Sequence, residues 1–464
     1  MRIALVRPLC SYDEPEFQEP LGAEAVCGYL RERGLECRVF DRLLGVTIAD
    51  LAAYEPDWVG FSLLTDADVP DALRLVQMLR APGRRFFAGG MFVTTEPERA
   101  AALFPKDTVL ICGEGEGPVY TLVTGRSMEG GRRPGPDEWA FASRDDLPAY
   151  LQRGCAISLR TSRGCRGSCA FCTTPSRQEE TRRYAARDPA KVAEEMAALT
   201  REGYLPVFNF TDDEFGGTDR ILALEAELER RGLRAAFSLE MRAADIVSAP
   251  RGLWPVLHEG GLCRIFTGLE SFNADTRRRW NKPVDVPALM EAVRCIKKNG
   301  IACEVGYILW HEHSTVDSVR QEAEQLHDYG LLSPRTALSR LILYPGSRLY
   351  KMAGIRETAQ APLPGEVREL FERWESLLQP LSPLWIKASL LLPGMACRAW
   401  LRKDPSRYLE LTDCIETIKE QTYISLAGDS QPDSRLCREL GKTINNIHNA
   451  ENAGSKRIWT RQRG

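Results

Sequence analysis

Long apolar runs are missing from this chain of 464 residues, and so is a dominant charge. No stretch approaches the roughly 20 consecutive apolar residues that a membrane-spanning helix needs. The opening "MRIALVRPL" is followed by polar "CSYDEPEFQEP", without the small residues of a cleavage site. It therefore reads as a buried strand rather than a secretion signal, and the expected location is the cytoplasm. Lysine plus arginine (61) nearly balance aspartate plus glutamate (64), for a net charge of -3 and a pI near 6.1. That balance leaves no electrostatic footprint for nucleic acid or an anionic membrane. With 44% hydrophobic and 27% charged residues, the composition is that of a globular protein of two or three domains with a sizeable core.

A disulfide framework is missing too, although there are 14 cysteines. Cys10, Cys27, Cys37, Cys112, Cys155, Cys263, Cys295, Cys303, Cys397, Cys414 and Cys437 are scattered among apolar neighbours and read as small core hydrophobes. The other three sit together in "TSRGCRGSCAFCTTP", residues 161–175. A closed zinc site wants four ligands in close pairs, and a disulfide wants two thiols. Cys165, Cys169 and Cys172, spaced C-x3-C-x2-C, suit a [4Fe-4S] cluster whose fourth iron stays open. Phe171, just before the third cysteine, would shield such a cluster from water. A zinc site completed by a distant Cys or His is the alternative.

Residues 1–125 alternate strand and helix patterns, which implies a doubly wound parallel sheet covered on both faces. Ligands of such sheets bind at strand carboxyl ends, here Ser62 to Thr65, Gly89-Gly90 and Gly113 to Gly117. The Gly-, Arg- and Pro-rich stretch within 126–155 lacks periodicity and reads as a linker. Over 156–361 a second alternation, counted as roughly six strand–helix units, fits a partial (βα)6 barrel with its chemistry at strand C-termini. The cysteine loop follows the first of those strands. Residues 362–464 read as a mostly helical region, ending in a basic tail, "NAGSKRIWTRQRG", expected to be disordered.

A C-x3-C-x2-C loop after the first barrel strand resembles the signature of the radical S-adenosylmethionine (SAM) enzymes. "FTDDEF" (210–215), "SLEMRAADI" (238–246), "FTGLESF" (266–272) and "LILYPGSRLY" (341–350) are similar to strand ends of that superfamily. "EPLGAEAVCGYLRERG", "GFSLLT", "FFAGGMFVTTEP" and "VLICGEGE" fall in the order of its cobalamin-binding N-terminal domain. The resemblance implies that Cys165, Cys169 and Cys172 ligate the cluster and that SAM binds the open iron. Glu240, Arg242, Glu270 and Ser271 are then the SAM-binding residues. One electron into the cluster would yield a 5'-deoxyadenosyl radical that abstracts hydrogen from a substrate. A flavodoxin- or ferredoxin-type protein would supply that electron.

Two departures bear on the reaction. The first sheet lacks a D-x-H-x-x-G loop and has "VRPLCSYDEPEF" in its place. Ser62, Gly89 and Gly90, expected around a cobalamin nucleotide tail, are still present. At strand five the chain reads "GYILWHEHST", so Trp310, His311, Glu312 and His313 would face substrate, with Asp212, Asp213 and Glu214 from strand two. Such a lining suits a hydroxyl- and amine-rich substrate such as an amino sugar, and imidazoles shuttle protons near neutral pH. Alternatively, His311 and His313 cap the helix that starts near Thr315. His258, His327 and His448 read as structural or surface residues.

The expected function is radical dehydration of a diol in aminoglycoside biosynthesis, with His311, Glu312, His313, Asp213 and Glu214 as catalytic residues. This chain resembles the radical diol-dehydratase of the apramycin pathway, where a separate dehydrogenase could complete the reaction and cobalamin need not bind. The alternative is a cobalamin-dependent radical SAM methyltransferase acting on a natural-product precursor.

Overall fold

The computed structural model describes residues 1–10, 18–126, 135–174, 184–201, 205–355 and 359–461, with side chains as far as 451. It divides into two compact units, Met1–Ser158 and Leu159–Gly464.

In the first unit five parallel strands form one sheet: β1 (Arg2–Arg7), β2 (Glu36–Asp41), β3 (Trp58–Ser62), β4 (Arg85–Gly89) and β5 (Thr108–Ile111). Their order is β2-β1-β3-β4-β5. β1 buries four consecutive residues, Ile3 to Val6, as a strand covered on both faces must. The order reverses between β1 and β3, and the crevice at the carboxyl ends there is where ligands of such sheets bind. The doubly wound expectation holds.

The expected linker at 126–155 needs correction. Residues 127–134 lie outside the described residues, but from 135 to 158 the chain folds back on its own unit as a strap. The Phe141 carbonyl occupies the space where a Cβ on Gly28 would stand, so the helix Leu21–Glu32 needs glycine there. Ser143 donates its N–H to the Glu24 carbonyl at 2.9 Å. Arg31 clamps Asp145 bidentately at 2.8 and 2.5 Å. Leu147 and Tyr150 are fully buried, and the Tyr150 hydroxyl bonds the Asp41 carboxylate, which also holds Arg7. Two such anchors in a short irregular stretch leave no periodic signal.

A second five-stranded sheet runs in chain order: β6 (Ile157–Leu159), β7 (Val207–Phe210), β8 (Ala236–Glu240), β9 (Leu262–Glu270) and β10 (Ala302–Tyr307). The β7–β8, β8–β9 and β9–β10 pairs are parallel. Helices alternate with these strands. In Val286–Lys298, Asp285 accepts from the Ala288 N–H at the N-cap, Pro287 occupies the first turn and two lysines the last. Leu289, Val293 and Ile296 form its buried stripe. The sixth expected strand joins differently. Trp310 and Arg340 form one parallel bridge, while Ile342–Leu343 pairs antiparallel with Ala359–Gln360. Pro345 and Gly346 follow at once, ending the extended run.

Beyond the barrel lie the helices Gly365–Leu378, Ser382–Arg402, Ser406–Gly428 and Ser434–Arg461. The last corrects the expected disordered tail as far as Arg461. Leu440, Ile444 and Ile447 bury one face of it, and a nucleated helix adds further turns at little cost. Among the described residues no helix is long and apolar enough to cross a membrane.

Candidate active site

The cysteine loop leaves β6 through a short ribbon in which Ser162–Gly164 pairs antiparallel with Tyr184–Ala186. Three consecutive acids at the end of β7 then stitch down three successive points of the loop. Fully buried Asp212 accepts from the Thr161 N–H at 2.7 Å, the Ser162 N–H at 2.9 Å and the Thr161 hydroxyl. Asp213 accepts from the Gly164 N–H at 3.2 Å and the Thr174 hydroxyl at 3.1 Å. Glu214, 1% exposed at its side chain, takes the Arg166 N–H at 2.9 Å, the Cys165 thiol at 3.0 Å and the Arg166 guanidinium. Asp213 and Glu214, expected to be catalytic, are therefore positioning residues for the cysteine loop. In sequence, successive carboxylates at a strand end point alternately toward substrate or loop, and only the partners decide.

All three cysteines are half-buried on this loop. A Cβ built on Gly167 would lie 3.3 Å from Cys165 Sγ and 4.0 Å from Cys169 Sγ, so both sulfurs border one small space kept open by glycine. The Gly167 N–H points at Cys165 Sγ (3.3 Å) and the Thr174 N–H at Cys172 Sγ (3.4 Å). Burial, with the Glu214 hydrogen bond, pushes the metal-free Cys165 thiol up to about 12. A metal must displace that proton. Burial also raises Cys169, opposed by nearby Lys282.

Lys282 was not anticipated from sequence. Its ammonium pairs with Glu270 at 3.2 Å, and its charge reaches Cys169 and Cys165. Glu270 holds a left-handed backbone (φ 73), strain of the kind stored at functional sites. Burial raises its pKa and Lys282 opposes the rise. Its neighbour Ser271 is fully buried, donating to Glu322 at 2.8 Å and accepting the Asn273 N–H at 3.0 Å. The expected SAM contact at Ser271 is corrected, since this hydroxyl is spent on fold. Phe171 stands edge-on to Trp280 (5.7 Å), which stands edge-on to His311 (5.2 Å). These rings pack in a row from the loop to His311.

Past β10, Trp310 is fully buried against Phe371 and Trp374 and donates to the Ala337 carbonyl at 2.6 Å. It is core, which corrects its expected place beside substrate. Neither histidine caps the following helix, because Thr315 does so itself in a box with Ser318. His311 is 4% exposed and its Nδ1 accepts the His313 N–H at 3.2 Å. Burial first, then His313 and Arg279, push its pKa down to about 4. It stays neutral near pH 7, so the expected proton shuttle at His311 is corrected. Glu312 Oε1 lies 3.6 Å from His313 Nε2. Its buried Oε2 has no hydrogen-bond partner among the described residues.

Glu240 ends β8 with solvent at its tip, yet burial, with Asp213 and Asp212 adding like charge, pushes its pKa up to about 7 against the pull of Arg264. Arg242 stands at the N-terminal end of the next helix, its Nε 4.0 Å from Glu214. A raised carboxyl pKa means the folded chain holds this proton more tightly than the unfolded chain. That contribution is complete below 4.5 and is lost as pH rises through 7. The melting temperature of the metal-free protein should thus fall more steeply between about pH 5 and pH 8 than that of Glu240→Gln. Identical slopes would contradict the assignment.

In the first unit, Ser62, Gly89 and Ile111 stand side by side at the carboxyl ends of β3, β4 and β5. Gly90 follows with φ 101, packed on the Leu63 peptide. Leu9 and Leu64, 40% and 69% exposed, lie just past the ends of β1 and β3. Small strand ends beside apolar side chains fit a broad, partly apolar cofactor. All five histidines lie in the second unit, so this unit has no imidazole to offer a metal.

Among the described residues no three His, Cys, Asp or Glu side chains converge on one point, as a single-ion site needs. A four-iron cluster does not ask for that, because each thiolate takes a different iron. The shared space at Gly167 and the N–H groups aimed at sulfur fit such a cluster. Residues 159–327 match the sequence model of the radical SAM superfamily. This chain carries a radical SAM domain. Ahead of it, residues 16–123 match the B12 binding domain. An anaerobic magnesium-protoporphyrin IX monomethyl ester cyclase of Rubrivivax gelatinosus is 23% identical over 349 residues, 67% of this chain and 62% of that protein. The Cereibacter sphaeroides cyclase is 26% identical over 184 residues, 39% of this chain and 29% of its own. The chain thus spans less than two thirds of the curated relatives it matches.

Among solved structures, the radical SAM fold here resembles the cobalamin-dependent enzyme OxsB with aqua-cobalamin bound. Its TM-score is 0.70 at 15% identity, covering 98% of this chain and 80% of that one. The methyltransferase TsrM from Kitasatospora setae, with cobalamin and [4Fe-4S] cluster bound, gives 0.61 at 18%, covering 77% and 79%. At these identities the likeness is one of fold.

Proposed function

We propose that this chain is a cobalamin-dependent radical SAM enzyme that transfers a methyl group to a small polar natural-product precursor. The supporting observation is one chain with a B12-binding match over 16–123 and, after it, a cysteine loop anchored by the acids of β7. Cobalamin, set second in the sequence reading, thereby becomes the expected partner of the cluster and SAM. When bound, these groups supply an adenosyl radical and a transferable alkyl group.

The chain supplies position and dryness. Cys165, Cys169 and Cys172 hold the cluster, and Asp212, Asp213 and Glu214 hold the loop. Glu240, Arg242 and the Glu270–Lys282 pair offer charge to the polar end of SAM. Ser62, Gly89 and Gly90 lie along the edge offered to cobalamin. Phe171, Trp280 and neutral His311 exclude water. The unpartnered Glu312 Oε2, with His313 beside it, marks the contact for a substrate hydroxyl or amine.

Diol dehydration, in an aminoglycoside pathway or elsewhere, stays as the second reading on one observation. It needs an acid–base group near neutral pH, and with His311 and Glu214 removed, Glu240 at about 7 joins Glu312 and His313 as a candidate. The two readings separate in an anaerobic reconstitution with hydroxocobalamin, followed by desalting and addition of methyl-labelled SAM. Retained corrinoid with labelled methyl on cobalt and S-adenosylhomocysteine released is the expected result. Corrinoid washing through, with 5'-deoxyadenosine as the sole SAM-derived nucleoside, would favour dehydration.

A further inference from the structure

Ala170, between Cys169 and Phe171, is gripped on both sides by backbone. Its N–H donates to the Trp280 carbonyl at 2.8 Å, and its carbonyl accepts the Leu349 N–H at 2.9 Å. Asn281 adds two bonds to Ser168, at 3.0 and 2.7 Å. Two surface segments, 274–282 and 344–355, are thereby fixed beside the cysteine loop. The first carries Arg277, Arg278, Arg279 and Lys282 against one acid, Asp275. The second carries Arg348 and Lys351 and no acid. Arg277 is turned inward to the Ser271 carbonyl and Lys282 to Glu270. Arg278, Arg279, Arg348 and Lys351 are exposed, and so is Met352, at 75%, next to Lys351 in the second segment.

In a chain of net charge -3, this is a local positive field with an exposed apolar side chain, on segments bonded to the loop assigned to the cluster. Resting on the reading that the loop holds a cluster fed by single electrons, we propose that this face docks an acidic electron-carrier protein. Electron transfer requires close approach, and the two segments are the surface the loop itself holds in place. Weak redox encounters use small interfaces steered by complementary charge. Asp275 offsets one charge, which leaves Arg278, Arg279, Arg348 and Lys351 in clear excess. The soft, adaptable Met352, exposed beside Lys351 in sequence, suits a partner that must come and go.

The test uses the full chain, wild type and the Arg278→Glu/Lys351→Glu variant, titrated with a labelled acidic flavodoxin. A parallel assay measures 5'-deoxyadenosine formation driven by that flavodoxin or by dithionite. Wild-type binding should weaken steeply between about 50 and 300 mM salt. The variant should bind about tenfold more weakly or worse, while its dithionite-driven rate stays at the wild-type value. The milder Arg278→Gln/Arg348→Gln variant should fall between, which guards against a folding defect. Unchanged flavodoxin affinity in both variants would overturn the proposal. So would a single-stranded oligonucleotide that outcompetes flavodoxin through the same residues. Binding is read without turnover, so absent 5'-deoxyadenosine with either reductant counts against the cluster reading and not against the docking face.

Discussion

Replacing Glu214 by glutamine should cost the protein most of its iron–sulfur cluster with all three cysteines in place. The carboxylate is buried and takes both the backbone N–H and the guanidinium of Arg166, the residue after the first cysteine. An amide has one acceptor oxygen and would turn an N–H₂ toward the other donor. Arg166 keeps solvent contact and its second bond, to Asp245 at 2.8 Å, so the fold loses little while the loop loses its anchor. Groups that orient metal ligands typically contribute 10- to 100-fold in metal affinity. Affinity for iron should therefore fall about tenfold or more, read as less iron kept per reconstituted chain after desalting, with the melting temperature of the metal-free protein nearly unchanged. Glu214→Asp should recover part of the iron. Wild-type iron content in Glu214→Gln would show that the acids of β7 do not position the loop.

Gly90→Ala should damage the first unit as severely. Gly90 sits at φ 101, ψ -168, a region that only glycine enters without strain. A Cβ there would also lie 2.9 Å from the Leu63 nitrogen and 3.1 Å from its carbonyl carbon. Leu63 cannot retreat, because its N–H bonds the Gly89 carbonyl at 2.9 Å and its own carbonyl takes the Phe92 N–H at 3.2 Å. The expected loss is roughly 3 kcal/mol or more, read in urea, together with loss of bound corrinoid. Gly113→Ala is the control. It also has a positive φ, 80, but with nothing within 4 Å of the added carbon, so the cost should be about 1–2 kcal/mol. Equal effects from the two would mean that Gly90 is not held against Leu63.

What sequence could show follows from how each feature is encoded. Cys165, Cys169 and Cys172 were legible because one cluster draws its ligands from one short loop. The two alternating sheets were legible because buried parallel strands need continuous apolar runs. Contacts between distant segments were not. Asp213 and Glu214 read as substrate acids until Gly164, Thr174 and Arg166 were found on them. Ser271 read as a cofactor contact until Glu322 was found beneath it, and Lys282 carried no signal apart from its place in "WNKP". His311 read as a proton carrier because a sequence does not state the burial that, with Arg279 nearby, holds it neutral. The strap over 135–158 shows the same limit, since two anchoring side chains, Leu147 and Tyr150, fix it without any repeating pattern.

The most direct test of the account is the iron and cobalt content of a single anaerobically reconstituted and desalted preparation, with its electron paramagnetic resonance spectrum after reduction. The account predicts close to four irons and one corrinoid per chain, a reduced [4Fe-4S] signal that changes when SAM is added, and loss of iron but not cobalt in Cys172→Ala. Four irons with no retained cobalt would contradict the cobalamin-dependent reading. Cobalt without an SAM-sensitive cluster would contradict the role given to Cys165, Cys169 and Cys172.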